Sequence, residues 1–261
     1  MNLDYSTQAF DRKHGGALNE TPYLDGRTVA ASRLAGWLGS GLRAWRAQPT
    51  LWVAAFAACA VVITLLRFAV LLRPLVVLIA PLVAGALMVA QDRLRQGRPA
   101  SLGEVVAAVR EKSNALFAIG LFSGAIVVIG YMILFAMLNA SLLASIMTTG
   151  LHSVSISYGG DTGMRGVLES MVNVPIFAIA IASAWFAPAL VVLHDVPPLE
   201  AMAASLNGAA RNWPIAAVFL AVLVGATLIA ATVPLVASSL ILTPILLLSI
   251  YDGYRDVFVK Q

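Results

Sequence analysis

Long apolar runs, separated by short polar stretches, dominate most of the chain. A helix needs about 20 apolar residues to cross the hydrocarbon core of a bilayer. Residues 51–91 contain only two charges, Arg67 and Arg73, near the middle of the run. Arginine at the bilayer centre is costly, whereas at a helix end its side chain reaches the headgroups. The pattern therefore predicts a membrane hairpin, with spans at about 50–66 and 74–91 and both arginines in its turn.

Four further spans are predicted after this hairpin. The uncharged stretch after Lys112 predicts a third span at about 115–137, continuing as helix past the membrane before a polar loop. A fourth span is predicted at about 167–193. Residues 213–251 are again uncharged and long enough for two short spans, which should meet around 233–239, where a proline and two serines favour a turn.

A short amphipathic helix is predicted before each odd-numbered span. Its apolar positions recur at helical spacing in three places: Leu34, Trp37, Leu38, Gly41 and Trp45; Leu102, Val105, Val106 and Val109; Leu199, Met202, Ala203 and Leu206. Each even-numbered span contains a proline and ends at an acidic residue: Pro81 and Asp92, Pro188 and Asp195, Pro244 and Asp252. The sequence thus predicts three repeats, at about 29–92, 100–195 and 197–258, each an interfacial amphipathic helix followed by a transmembrane hairpin.

The predicted fold class is an all-α integral membrane protein with six transmembrane helices. With 60% hydrophobic and 11% charged residues, the chain departs from soluble proteins, which are about a quarter charged. Residues 1–28 are polar and lack the apolar core of a signal peptide. We interpret 1–28 as a flexible cytoplasmic tail and 29–261 as the transmembrane domain.

Basic residues are distributed unequally between the two predicted sides of the membrane. Of the 17 Lys and Arg residues, only Arg67, Arg73 and Arg165 lie on the outer side. Because cytoplasmic loops carry the excess of Lys and Arg, both termini are predicted to face the cytoplasm of a bacterial inner membrane. The net charge of +4 is explained by this topology and by anionic lipid headgroups, so nucleic acid is not an expected partner.

Candidate chemistry is sparse, and no catalytic, cofactor-binding or metal-binding residue is predicted. The single cysteine, Cys59, excludes an intramolecular disulfide. His152 and His194 fall on opposite predicted sides of the membrane, and His194-Asp195 resembles a catalytic pair that has no nucleophile. The candidate site residues are arginines able to contact lipid headgroups: Arg93, Arg95, Arg98, Arg67 and Arg73. For Arg67 and Arg73 an anion-binding rim is the alternative.

A family resemblance is carried by four stretches: Trp185-Phe186-Ala187-Pro188-Ala189-Leu190, Val196-Pro197-Pro198, Arg211-Asn212-Trp213 and the tail at 251–258, Tyr-Asp-Gly-Tyr-Arg-Asp-Val-Phe. They resemble a group of uncharacterised six-span inner-membrane proteins of proteobacteria. More distantly, the layout resembles the membrane domain fused to some glycerophosphodiester phosphodiesterases. The similarity covers about 34–258 and implies the same topology. It implies no enzymatic activity, because the acidic, histidine-containing metal site of the phosphodiesterase domain has no counterpart here.

The expected function is that of a non-enzymatic scaffold or accessory protein in lipid or envelope processes. Three amphipathic segments flanked by arginines motivate this expectation. Expected partners are anionic membrane lipids, together with another envelope protein or a second copy of the chain. The alternative is a small-molecule or ion permease or channel. Against the alternative stands the near absence of ionisable residues within the spans, an objection that a hydrophobic gate would escape.

Overall fold

A computed structural model describes residues 22–68, 75–98, 100–149, 164–219, 221–222 and 243–259. Every regular element that these residues form is an α-helix, which confirms the all-α part of the predicted fold class. The helices are α1 (Arg33–Ala47), α2 (Pro49–Phe68), α3 (Leu75–Arg95), α4 (Leu102–Glu111), α5 (Ser113–Thr149), α6 (Met164–Trp185), α7 (Ala187–His194), α8 (Pro198–Arg211), α9 (residues 213–219 and 221–222) and α10 (Thr243–Phe258).

Three stretches among the described residues are long and apolar enough to cross a membrane: Leu75–Arg95, Ser113–Ala136 and Val174–His194. They indicate a membrane-associated helical protein. The turn of the first predicted hairpin, the polar loop at 152–160 and the junction at 233–239 lie outside the described residues. Helix α5 has 37 residues, or about 55 Å at 1.5 Å per residue, which exceeds a hydrocarbon core of about 30 Å. The predicted continuation of this helix past the membrane is consistent with that length.

Each predicted amphipathic helix is joined to the next helix by a single non-helical residue. Gln48 separates α1 from α2, Lys112 separates α4 from α5, and Asn212 separates α8 from α9. Ser101 is the N-cap of α4: its side-chain hydroxyl accepts a hydrogen bond from the Glu104 N–H at 3.3 Å. Serine is a preferred residue at this position. The same type of junction thus occurs at three places in the chain.

The amphipathic helices also pack in a recurring way, each against a helix that lies outside its own predicted unit. Helix α4 packs on α3, and α8 packs on α6 and α7. Helix α1 packs on α10, in the most extensive helix–helix contact of the described part of the chain. Gly41 lies at this crossing, close to the backbone of Ile245 and Ser249. The first and last described helices are therefore neighbours.

The predicted apolar faces of α4 and α8 are only partly the buried ones. In α4, Val105 and Val109 are buried, whereas Leu102 and Val106 are 70% and 55% exposed. In α8, Leu199 is exposed, and the buried face is formed chiefly by small residues: Ala201, Ala204, Ser205, Gly208 and Ala209. Met202 of the predicted stripe is buried with them, and the small residues let the helix backbones approach closely, so residue size and hydrophobicity together define the face with which α8 packs.

The predicted fourth span is divided at Phe186 into α6 and α7. Pro188 begins α7 and lacks an N–H, which interrupts the hydrogen-bond ladder. Ser205, fully buried in α8, enters this gap: its Oγ accepts from the Phe186 N–H at 2.9 Å and donates to the Ala182 carbonyl at 2.6 Å. A side chain inserted between a carbonyl and the N–H four residues later is a recognised cause of helix breaks.

The segment before α1 is packed against the helical body. The Tyr23 N–H donates to the Phe258 carbonyl at 2.7 Å, and the Arg27 N–H donates to the Val257 carbonyl at 2.9 Å. Asn212 accepts from the Val29 N–H and donates to the Arg27 carbonyl, both at 2.7 Å. These hydrogen bonds tie the segment 23–29 to α10 and to the α8–α9 junction, and residues 1–21 of the predicted tail lie outside the described part.

Candidate functional site

The described basic residues gather mainly at one end of the bundle, where α3 and α10 finish and α1 and α4 lie. We call it the basic end. Trp45 of α1 and Leu94 of α3 belong to one apolar cluster there. The tightest packing is also near this end, around Phe186, Leu190 and Phe258.

Three of the five arginines predicted to contact headgroups lie at the basic end. Arg93 pairs with Glu104 of α4, and Arg95 and Arg98 are exposed. Arg73 and the side chain of Arg67 lie outside the described residues. Helix α3 ends at Arg95, so the exposed arginines stand at the rim of the bundle and not within the packed helices.

Buried polar side chains connect α3 and α7 to α10 just inside the basic end. Asp92 is 8% exposed; its Oδ1 accepts from the Tyr251 hydroxyl at 2.7 Å, and its Oδ2 accepts from Gln96 at 2.6 Å. His194 Nε2 is hydrogen-bonded to the Tyr254 hydroxyl. Sequence reasoning identified Asp92 as a helix-terminal acid but not these tyrosines, one turn apart on α10. A buried carboxylate requires hydrogen-bond donors, and this requirement was the one sign in the sequence that Asp92 would have a polar partner on another helix.

His194 and Asp195 have different partners. His194 faces Tyr254, whereas the Asp195 carboxylate accepts from Lys112 Nζ at 2.6 Å. Asp195 itself ends α7 in the left-handed region, with φ of 58°. The two neighbours therefore do not act as a pair. Asp195 instead ties the end of α7 to Lys112 at the α4–α5 junction.

Asp256 of α10 holds α1 in place. Its carboxylate accepts from Arg33 at 2.9 Å through Nε and at 2.7 Å through Nη2, and from Trp37 Nε1 at 2.7 Å. The hydrogen bond and charge of Asp256 raise the pKa of Arg33 above its ordinary value. The Asp256 side chain is 8% exposed and the Arg33 side chain 51%, which makes this a half-buried anchor between the first and last described helices.

A cavity of about 590 Å³ lies among α2, α3, α6, α9 and α10. Its walls are almost entirely apolar: Ala58, Cys59, Val62, Val76, Ile79, Ala80, Val83, Ala84, Leu87, Ile181, Ala184, Trp185, Phe219, Leu247 and Ile250. Ala58, Val62, Ala80 and Ile181 remain exposed, so the cavity opens to the outside of the bundle. Sequence reasoning did not predict this cavity, because it arises from how the helices are spaced.

Within the described ranges, no group of three or more His, Cys, Asp or Glu side chains is placed to hold a metal ion. His152 lies outside those ranges. Comparison of the chain with protein-family models, with curated proteins and with solved structures gave no match. A functional proposal therefore rests on the basic end, the buried polar contacts and the apolar cavity.

Proposed function

We propose that the chain is a six-span bacterial inner-membrane protein made of three repeats, with both termini in the cytoplasm. The three single-residue junctions at Gln48, Lys112 and Asn212 support the repeat. The packing of the amphipathic helices also supports it. Helix α4 covers the second hairpin helix of the first unit, α8 covers that of the second unit, and α1 covers that of the third unit, so the three units follow one another in a ring. The arginines at the basic end support a cytoplasmic location for that end.

Within this architecture, the proposed function is that of a non-enzymatic scaffold or accessory protein in lipid or envelope processes. The observation that carries it is the outer face of the amphipathic helices. Leu102 of α4 is 70% and Leu199 of α8 61% exposed, Trp213 at the start of α9 is 69% exposed, and Arg110 and Arg211 lie in the last turns of α4 and α8. Apolar side chains beside basic ones suit a helix that lies in the headgroup region of an anionic membrane.

The permease alternative receives less support from the same geometry. A polar solute or ion needs hydrogen-bonding or charged groups along its path. The 590 Å³ cavity has apolar walls, and the buried Asp92 is occupied by Tyr251 and Gln96 at the basic end. A cavity with such walls is better suited to hydrocarbon than to a hydrated ligand.

The relationship suggested by the sequence is part of this proposal. The Trp185 to Leu190 stretch spans the α6–α7 break, and Arg211-Asn212-Trp213 spans the α8–α9 junction. Residues that carry the resemblance thus occupy the junctions of the fold. We propose that the six-span proteobacterial membrane proteins share this arrangement.

Native mass spectrometry of protein gently extracted from its own membrane tests the proposed function. We expect anionic phospholipid and an envelope-protein partner to remain bound. The double variant Arg95→Gln/Arg98→Gln should weaken anionic-lipid retention by about 2 kcal/mol, at about 1 kcal/mol per basic residue, or about thirtyfold. Arg12→Gln/Lys13→Gln changes the net charge equally in the N-terminal segment and is the control.

Two results would contradict this function. Equal lipid retention in both double variants would show that the arginines of the basic end do not recruit lipid. A partner-free oligomer that carries a polar solute, together with solute flux in liposomes, would favour the permease.

A further inference from the structure

We propose that the apolar cavity holds one acyl chain of an anionic phospholipid, with its headgroup at the basic end. The inference rests on the proposed membrane function and names the ligand class of the cavity. It is independent of whether the exposed faces of α4 and α8 act as a scaffold.

The size, lining and opening of the cavity favour a hydrocarbon chain. Its volume of about 590 Å³ falls within the roughly 300–1,000 Å³ of known ligand cavities. Val76 and Leu87 mark its extent along α3, a helix long and apolar enough to cross a membrane. Because exposed Ala58 and Val62 of α2 leave the cavity open in a membrane-capable region, the adjacent medium is bilayer hydrocarbon.

The charge distribution at the basic end favours an anionic headgroup. Leu87 of the cavity wall belongs to an apolar cluster that extends to Trp45 and Leu94. Arg46 follows Trp45 in α1, Arg95 follows Leu94 in α3, and both arginines are exposed. A chain in the cavity therefore has cationic side chains at the end of its wall, where a phosphate would lie.

Gln91 provides a polar group between the apolar wall and these arginines. It lies one turn after Leu87 on the same side of α3 and is 6% exposed. Its Nε2 is buried without a hydrogen-bond partner among the described residues. A buried amide left unpaired is unfavourable, and this one lies beside the end of the cavity wall that faces the arginines.

Fluorescence quenching in vesicles tests the proposal, because Trp185 lines the cavity. The probe is phosphatidylglycerol with brominated acyl chains, titrated into phosphatidylcholine vesicles that contain the full-length protein. The Trp185 contribution is the difference between the parent protein and Trp185→Phe. The Trp213 contribution, obtained with Trp213→Phe, reports an exposed ring at the rim. We expect quenching of Trp185 to saturate at a low fraction of brominated lipid, and quenching of Trp213 to rise in proportion to that fraction.

Variants that fill the cavity provide the matched comparison. Ala84→Phe on α3 and Cys59→Phe on α2 place a ring into the cavity from opposite walls. Each should lower the apparent affinity of saturable quenching by about tenfold, the cost of an overpacked site. Ala125→Phe makes the same change on the exposed side of α5 and should have no effect.

The possible outcomes separate this inference from the proposed function. Proportional quenching of Trp185, or saturation that neither cavity variant alters, would overturn the inference even if the Arg95→Gln/Arg98→Gln variant loses lipid as expected. Equal saturation by brominated phosphatidylcholine would overturn the assignment of an anionic headgroup. Saturation specific to phosphatidylglycerol and lost in both variants would support it.

Discussion

Gly41→Ala tests the contact that joins the first and last described helices. Gly41 lies where α1 crosses α10, and a Cβ at this position would be 2.3 Å from the Ile245 carbonyl oxygen and 3.0 Å from the Ser249 backbone nitrogen. Both are backbone atoms, so no side-chain rotation relieves the overlap. The two helices would have to separate by about one ångström to reach ordinary contact.

The same substitution at Gly36 provides the matched control. Gly36 is also in α1, and a Cβ there meets nothing within 4 Å. Alanine favours a helix over glycine by about 1 kcal/mol, and this gain is common to both variants. Overpacking costs about 1–3 kcal/mol. We therefore expect Gly36→Ala to stabilise the protein slightly and Gly41→Ala to be about 1–3 kcal/mol less stable than Gly36→Ala.

Unfolding in sodium dodecyl sulfate, followed by tryptophan fluorescence, measures this difference. Trp37 is a suitable reporter, because its ring lies against Gly253 of α10 and its Nε1 donates to Asp256. Gly41→Ala should shift the transition to lower detergent fraction. If both glycine variants unfold at the same detergent fraction, α1 is not packed on α10. The proposed repeat arrangement, in which α1 covers α10, would then be wrong.

Three further predictions concern single polar groups. Ser205→Ala leaves two buried backbone groups unpaired at about 1–3 kcal/mol each, so we expect a loss of about 2–6 kcal/mol, measured in the same assay. Ser183→Ala is its control, because that hydroxyl donates only to a carbonyl of its own helix; equal effects would refute the bridging role of Ser205. Asn212→Ala should release the segment around Val29, detected as faster amide exchange there and unchanged exchange in α5; unaltered protection around Val29 would contradict it. Asp256→Asn should lower stability less than Ser205→Ala does, because Arg33 is half exposed and ion pairs of that kind contribute little; a larger loss than that of Ser205→Ala would contradict this.

Local features of the fold followed from the sequence because they depend on neighbouring residues. Helical spacing of apolar positions predicted α1, α4 and α8 in their correct places. The length of the uncharged stretch after Lys112 predicted that α5 would continue beyond a bilayer. The arginines after Asp92 were expected at a helix end, where long basic side chains leave the apolar part of the helix, and Arg93 and Arg95 lie in the last turn of α3.

Features that depend on distant residues were not predictable in this way. Pro188 was expected within one continuous span, but the helix breaks at Phe186, and the break also involves Ser205, which lies 19 residues later on another helix. Most of the α8 residues that pack are small, so a hydrophobic stripe identified the buried face only in part: Met202 is buried, whereas Leu199 is exposed. The hydrogen bond from Tyr251 to Asp92 joins residues that are 159 positions apart in the chain, so no local pattern predicts it. The cavity has no counterpart in any sequence pattern, because its walls come from five helices.

The anchor between α1 and α10 also determines the shape of the cavity. Leu34 and Leu38 of α1 join the apolar cluster around Phe219 and Leu246 to which Trp185 and Ile250 of the cavity wall also belong.

Helix α2 follows α1 after one residue, and the Trp52 Nε1–H donates to the Ala44 carbonyl at 2.8 Å, so α2 must move with α1. The Ala58 and Val62 wall of the cavity belongs to α2. Displacing α1 by Gly41→Ala should therefore weaken the saturable lipid quenching of Trp185, whereas Gly36→Ala should leave it unchanged. Identical quenching in both variants would mean that the cavity keeps its shape without the α1–α10 contact.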